Sequence, residues 1–147
     1  MPHGGFRVEI ELGAVIDIGN TAQGHRRVIP IAGGRATGSI KGTILAAGAD
    51  YQIIRPDGVT ELEARYVIAV DGGGFVNVDN RGYRTASPGD SERLLRGEPV
   101  DPSRVYFRTS PRFETDVAHL RWLERTLFVG VAERRPYSVL VDFEPVR

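Results

Sequence analysis

The chain has 147 residues, 41% of them hydrophobic, and its 19 Lys and Arg balance 19 Asp and Glu. This is the composition of an ordinary globular protein, and it argues against a disordered chain and against a basic nucleic-acid-binding surface. Cysteine is absent, which excludes disulfides, thiolate metal sites and cysteine nucleophiles. No apolar run is long enough to span a bilayer and no secretory signal is recognisable, so we expect one soluble cytoplasmic domain over residues 1–147.

Strand signals recur along the whole chain, and turn-forming residues separate them at short, fairly even intervals. The first segment alternates strictly, with Phe6, Val8, Ile10 and Leu12 on one face and charged residues on the other. Such a strand buries one face and exposes the other. The predicted strands cover residues 6–12, 14–18, 25–31, 38–46, 51–55, 59–70, 75–79, 105–109, 123–132 and 138–146.

Three glycine-containing segments predict turns between these strands. Arg55–Gly58 has the sequence Arg-Pro-Asp-Gly, which suits a type I turn, and Asp71–Gly74 supplies glycines for the next connection. Together they predict an antiparallel meander over residues 50–79. The pair Gly33 and Gly34 predicts a further turn.

The segment 87–103 differs from the rest because prolines and glycines flank a short helix-prone stretch, 91–96. We predict a long loop with one short helix. Loops of this length in a compact domain often cover a functional site, so this segment is a candidate lid.

A long antiparallel meander must protect its edges, and closing the sheet on itself is a common solution at this size. The predicted fold class is therefore all-β, an antiparallel closed or nearly closed barrel, lipocalin-like in shape, with one short helix and a long loop. A barrel of about eight strands encloses a space that can hold one small ligand.

Several consecutive motifs also resemble a known family. They are Gly24–Pro30, Gly48–Gln52, Arg55–Gly58, Glu63–Tyr66, Asn80–Gly82, Tyr106–Thr115 and Trp122–Leu123. Their order and spacing resemble the family called domain of unknown function 3237, also described as uncharacterised protein family 0311. The resemblance covers nearly the whole chain and implies a β-barrel and a homodimer, but no established activity. Ala47 departs from the pattern, because the family often has a second glycine there, and this affects the expected turn before Asp50.

Strand parity indicates which polar side chains face the interior. Tyr66 lies on the apolar face of its strand, where its hydroxyl either donates to a substrate or bonds a backbone carbonyl in the core. Asp50 and Gln52 share a face; if it lines the barrel, Asp50 has a raised pKa and can act as a general base, whereas otherwise it caps the turn after Gly48. Parity places Arg65 outside unless a bulge reverses it, and we keep it as a candidate because of the motif.

A second group of polar residues is concentrated in one short segment. Tyr106, Arg108, Arg112 and Glu114 are able to bind an anionic or enolate-like substrate and move a proton, or to form an ion-pair network or a dimer interface. Trp122, the only tryptophan, is expected to wall the pocket or to pack in the core.

Other chemistries find no support in the sequence. Gly72–Gly74 lacks the spacing and the following helix of a nucleotide site, and the histidines are scattered. We therefore expect no cofactor and no metal.

These observations favour a small-molecule-binding barrel, either a cofactor-free enzyme or a non-catalytic carrier. A third possibility is a structural dimer with no ligand, whose barrel core would be filled with side chains and have no cavity. The enzyme would perform acid/base chemistry of the isomerase, lyase or cyclase type on a small oxygenated or aromatic, potentially anionic molecule. Asp50, Tyr66, Arg108 and Glu114 are the predicted catalytic residues. The predicted substrate-binding residues are Gln52, Arg65, Tyr106, Arg112 and Trp122.

Overall fold

The computed structural model describes residues 3–147, and ten β-strands make up most of that chain. All strand pairings are antiparallel. The strands are β1 (Phe6–Leu12), β2 (Ile16–Thr21), β3 (Gly24–Gly38), β4 (Gly42–Ile44), β5 (Ala49–Ile54), β6 (Thr60–Val70), β7 (Phe75–Thr85), β8 (Tyr106–Thr115), β9 (Phe128–Arg134) and β10 (Ser138–Pro145).

The sheet closes into a barrel because β1 pairs with both β10 and β3. The order around the barrel is β1, β10, β9, β8, β7, β6, β4 and β3, and β5 also lies between β6 and β3. The short strands β4 and β5 thus share one of eight positions, while β2 forms a hairpin with the first part of β3. The prediction of an all-β, antiparallel closed barrel is confirmed.

The predicted meander is confirmed as well, since β5, β6 and β7 are consecutive antiparallel neighbours. Its first turn has the expected hydrogen bond from the Gly58 N–H to the Arg55 carbonyl, 3.0 Å long. The predicted turn at Gly33 and Gly34 is wrong, because both lie inside β3. A Cβ on Gly34 would overlap the Glu9 carbonyl oxygen, so this glycine permits the close approach of β1 that seals the barrel.

The helical connections lie at opposite ends of the barrel. Helix α1 (Pro88–Leu95) and a 3₁₀ helix (Pro102–Arg104) join β7 to β8, whereas a second 3₁₀ helix (Ala118–Arg125) joins β8 to β9. We call the α1 end the mouth and the other end the base. A strand beginning at Leu123 was predicted wrongly, because Leu123 is buried in the second 3₁₀ helix, which closes the base, and β9 starts at Phe128.

The base of the barrel is filled by aromatic side chains. Phe6, Phe113, Phe128 and Phe143 pack with ring centroids 5.1 to 6.2 Å apart, and Trp122 lies 5.7 Å from Phe128. Aromatic packing of this kind excludes water and stabilises the core. Polar interior side chains are therefore found toward the mouth.

Helix α1 is stabilised by residues of its own segment. Ser87 caps it by accepting a hydrogen bond from the Asp90 N–H, and Pro88 occupies its first turn, where a missing N–H costs nothing. The buried Asp90 carboxylate contacts Arg93 at 2.7 Å and Arg104 at 3.2 Å. The helix therefore starts before the predicted stretch 91–96.

Among residues 3–147, no helix is long and apolar enough to cross a membrane.

Candidate functional site

Polar side chains line the interior of the barrel near the mouth. Alternation along β3, β5 and β7 turns Arg27, Asp50, Gln52, Asn80 and Arg84 inward, and each is less than a tenth exposed. The strand register places Asp50 opposite Ala64 and Ala64 opposite Asn80. These side chains occupy neighbouring rows of one inner surface.

Asp50 is the buried carboxylate of this group. Its Oδ2 accepts a 2.9 Å hydrogen bond from the Gln52 amide, while its Oδ1 has no partner among residues 3–147. Burial raises the pKa of Asp50, and the Gln52 hydrogen bond and the charges of arginines near the mouth oppose this rise. The alternative that Asp50 caps the turn after Gly48 is not supported, since Asp50 lies within β5 and bonds a side chain.

Three arginines carry the opposite charge. Arg27, Arg84 and Arg134 all attract Asp50, and burial lowers the pKa of each guanidinium. Arg84 is 4% exposed, and burial together with repulsion from Arg134 and Arg27 lowers its pKa to about 10, despite the attraction of Asp50. All three remain charged at neutral pH. They therefore outnumber the two carboxylates that act on them, the buried Asp50 and the exposed Asp17 near Arg27.

The space beside Asp50 is small. It measures about 20 Å³ and is lined by Asp50, Asn80 and Thr109 together with apolar side chains such as Phe107 and Ile31. That volume is about what one water molecule needs. A larger ligand therefore requires the mouth to open.

Leu95 of α1 lies at the mouth of the barrel. Its carbonyl accepts a long hydrogen bond, 3.5 Å, from Arg27. Open grooves lie on either side of it, one of about 570 Å³ with His25 and Arg27 on its wall and one of about 410 Å³ with Arg134 on its wall. The segment predicted as a lid thus lies between solvent and the interior polar residues.

Five residues of this interior group were not among the predicted site residues. They are the buried Arg27, Asn80, Arg84 and Thr109 and the half-buried Arg134, which donates to the Arg135 carbonyl. Alternation was the available signal: Arg84 continues the inward series of Val76 and Val78, and Arg134 continues that of Phe128 and Ala132. The predicted strands end before Asn80, Arg84 and Arg134, whereas Arg27 and Thr109 lie inside predicted strands, where alternation could have identified them.

Tyr66 and Trp122 are buried, but they lie away from Asp50. Tyr66 packs in the apolar core, does not line the cavity beside Asp50, and burial raises the pKa of its phenol. Its hydroxyl has no partner among residues 3–147. Trp122 belongs to the base, where His3 stacks on it at 4.6 Å. The structure thus gives both residues a packing environment.

The remaining predicted residues lie on the outer surface. Arg108 stacks over Tyr106 at 5.7 Å and donates to the Phe107 carbonyl, and Glu114 accepts a hydrogen bond from Asn77. Arg112 and Arg65 are also exposed, and Arg65 stacks over Tyr51. The expected convergence of Asp50, Tyr66, Arg108 and Glu114 on one cavity is therefore wrong, because a spacing of two along a strand keeps Arg108 and Glu114 on its outward face.

The burial of Asp50 predicts a pH dependence of stability. Its pKa in the folded protein lies above the ordinary value of 3.8. The contribution of Asp50 to the free energy of unfolding is therefore fully present below about pH 3.8, where the group is protonated, and is lost as pH rises through the folded pKa. We expect the unfolding free energy of the wild type to fall relative to Asp50→Asn over this interval, by at most about 1.4 kcal/mol per pH unit. Urea unfolding of both proteins between about pH 3.5 and 7.5 measures the difference, and parallel curves would contradict the raised pKa.

The family model described as protein of unknown function (DUF3237) matches residues 5–146. A curated relative, a UPF0311 protein of Bradyrhizobium diazoefficiens, is 43% identical over 141 residues, which cover 96% of this chain and 93% of the relative. These matches extend over the barrel and both helical connections.

Solved structures show the same fold. A conserved protein of unknown function from Rhodopseudomonas palustris is 44% identical with a TM-score of 0.91, covering 97% of this chain and 93% of that one. A β-barrel-like protein from Acinetobacter baumannii is 36% identical with a TM-score of 0.83, covering 97% and 92%. An enzyme from Penicillium herquei, only 16% identical, has a TM-score of 0.67 over 95% and 90% of the two chains, and shares the fold alone.

Proposed function

Because the chain belongs to the DUF3237 family, whose description names no reaction, we propose a function from the mouth itself. The barrel binds a small oxygenated organic anion through Arg27, Arg84 and Arg134. Asp50 moves a proton on that molecule, without a cofactor, in a reaction of the isomerase, lyase or cyclase type. The protein is thus proposed to be a small-molecule-binding acid/base enzyme.

The observation that carries this proposal is the burial of Arg84. Its side chain is almost fully removed from water. Its guanidinium has no hydrogen bond among residues 3–147, but it lies 5.7 Å from the centre of the Phe107 ring and is attracted by Asp50. A buried charge without a hydrogen-bonded counter-ion is costly. Asp50 and the Phe107 ring offset part of this cost, and the neighbouring Arg27 and Arg134 add to it by repulsion. An anionic ligand would supply the missing partner.

Asp50 has the properties of a proton-transfer group. A carboxyl group whose pKa is raised by burial is a better base when ionised and remains partly protonated nearer to neutral pH. A proton taken from a carbon or hydroxyl of the ligand would leave negative charge, which nearby guanidinium groups stabilise. Base and cations would therefore act on the same molecule.

Access to this site requires α1 to move. The cavity beside Asp50 holds about one water molecule in volume, and Leu95 of α1 lines the open grooves at the mouth. Its contact with Arg27 is a single long hydrogen bond, which a ligand carboxylate would replace with a stronger, charged one. Binding and opening are thus coupled at Arg27.

The test compares two carboxylates on opposite faces of the barrel. Small organic acids that bind the wild type are first identified by ligand-observed NMR, and their conversion is followed in Asp50→Asn and Glu114→Gln. We expect Asp50→Asn to lose turnover by about 100-fold or more while it still binds the acid, and Glu114→Gln to retain turnover. Full activity in Asp50→Asn would contradict the proposed role of Asp50.

A non-catalytic carrier is the second candidate function. It is favoured by the imbalance at the mouth, where three arginines accompany the buried Asp50 and the exposed Asp17, and by the outward position of Glu114. Such a site is suited to holding an anion. Tight binding with no conversion of any bound acid by the wild type would identify a carrier.

A further inference from the structure

The interior contains unpartnered hydrogen-bond acceptors beside the cations. Asp50 Oδ1, Gln52 Oε1 and Asn80 Oδ1 are buried and have no hydrogen-bond partner among residues 3–147, and the same holds for the Thr109 hydroxyl. Because the Gln52 amide nitrogen already donates to Asp50, its free oxygen can only accept. A ligand that completes this site must donate hydrogen bonds as well as carry negative charge.

The strand register leaves space between these acceptors. Ala64 separates Asp50 from Asn80, and Leu62 and Gly82 separate Gln52 from Thr109. Alanine fills little of the interior, and the cavity beside Ala64 is lined by Asp50, Asn80 and Thr109. These three acceptors thus face one common space.

We propose that the ligand is a small hydroxy acid, whose hydroxyl donates to Asp50 and whose carboxylate lies among Arg27, Arg84 and Arg134. This inference rests on the proposed function, since it specifies the anion that the mouth binds. A plain carboxylate would leave the buried acceptors unsatisfied, and a neutral alcohol would leave the arginines unsatisfied. Sites built around a ligand hydroxyl discriminate strongly against analogues that lack it, because their own polar groups are then left unpaired.

Matched probes separate the two requirements. Lactate, propanoate and lactamide share a short body, and mandelate, phenylacetate and mandelamide share an aromatic one; within each set the second member lacks the hydroxyl and the third lacks the charge. Binding to the full chain is measured by calorimetry. We expect lactate or mandelate to bind at least about tenfold more tightly than both of its analogues.

A variant then links this preference to the interior. Asp50→Leu removes the acceptor while it keeps a side chain of similar shape, so the hydroxy acid should lose its advantage over the plain acid. Thr109→Val provides a second measurement with a smaller change, and its advantage should decrease as well. An unchanged preference in a folded variant would overturn the assignment of the hydroxyl to these acceptors.

The outcomes distinguish this inference from the function on which it rests. Equal binding of the hydroxy acid and the plain acid would overturn the hydroxy-acid inference and leave the anion site intact. Equal binding of the amide and the hydroxy acid would overturn the anion site itself. No binding by any of these probes would overturn both.

Discussion

Replacement of Arg84 by methionine is expected to stabilise the free protein while it abolishes anion binding. Burial and repulsion lower the pKa of Arg84 from 12.5 to about 10, which corresponds to roughly 3 kcal/mol against the charged form. Methionine fills similar space without charge, and replacing buried charges by apolar side chains is often neutral or stabilising by about 1–4 kcal/mol. We expect a gain of about 1–3 kcal/mol in the free energy of unfolding.

The matched control is Arg112→Met, which alters an arginine on the outer face of β8. Its stability should change by no more than about 0.5 kcal/mol, and its affinity for a bound acid should be retained. Urea unfolding and calorimetric titration with the same acid measure both properties for the two variants. A destabilised Arg84→Met that still binds the acid would show that Arg84 supports the fold rather than the ligand.

Replacement of Gly48 by alanine is expected to destabilise the barrel next to Asp50. Gly48 has a φ of +84°, a region that other residues enter at a cost of about 1–2 kcal/mol, and a Cβ there would overlap the Arg65 carbonyl oxygen on β6. Relief of that overlap must push β5 and β6 apart where they hold Asp50. We expect a loss of about 3 kcal/mol or more and a weaker affinity for the bound acid.

Gly58→Ala is the control for Gly48→Ala, because it has the conformational penalty without the steric overlap. Gly58 has nearly the same φ, +87°, but a Cβ there meets no atom within 4 Å. Its substitution should cost only the conformational penalty of about 1 kcal/mol and should leave ligand binding unchanged. Equal losses in the two variants, measured by urea unfolding, would show that the contact with Arg65 does not matter.

Alternation predicted the direction of side chains correctly where the strand itself was recognised. Alternation placed Asp50 and Gln52 on one face, which the structure turns inward, and it placed Arg65 outward, as observed. The apolar face of β6 likewise placed Tyr66 in the core. Closure of the barrel followed from the need to protect sheet edges, which is a general physical argument.

Two arginines of the mouth, Arg84 and Arg134, were not predictable in the same way. The segment Asn80–Gly82 contains turn-forming residues, so the predicted strand ends at Asp79, whereas β7 continues to Thr85. The prediction therefore gives Arg84 no face. Arg134 lies two residues beyond the predicted end of β9. A charged residue at the end of a strand usually lies in water, and only the position of α1 over the mouth makes these arginines interior. That position depends on packing between distant segments, which local patterns do not contain.

The clustering of Tyr106, Arg108, Arg112 and Glu114 had a different cause. All four lie at even positions of β8, whose odd positions carry the buried Phe107, Thr109 and Phe113. Their spacing by multiples of two residues therefore places all four on the outer surface of the barrel. Their predicted roles in a ligand pocket have no geometric support, and a role in a homodimer interface stays a prediction.

The central claim is that an organic anion binds at the interior arginines of the mouth. The most direct measurement follows the side-chain Nε–Hε signals of the 18 arginines by NMR during titration with a bound acid, with assignments made by single substitution. We predict large, saturable shifts for Arg27, Arg84 and Arg134 and little change for exposed arginines such as Arg112. Shifts confined to the exposed arginines, with the three interior signals unmoved, would contradict the claim.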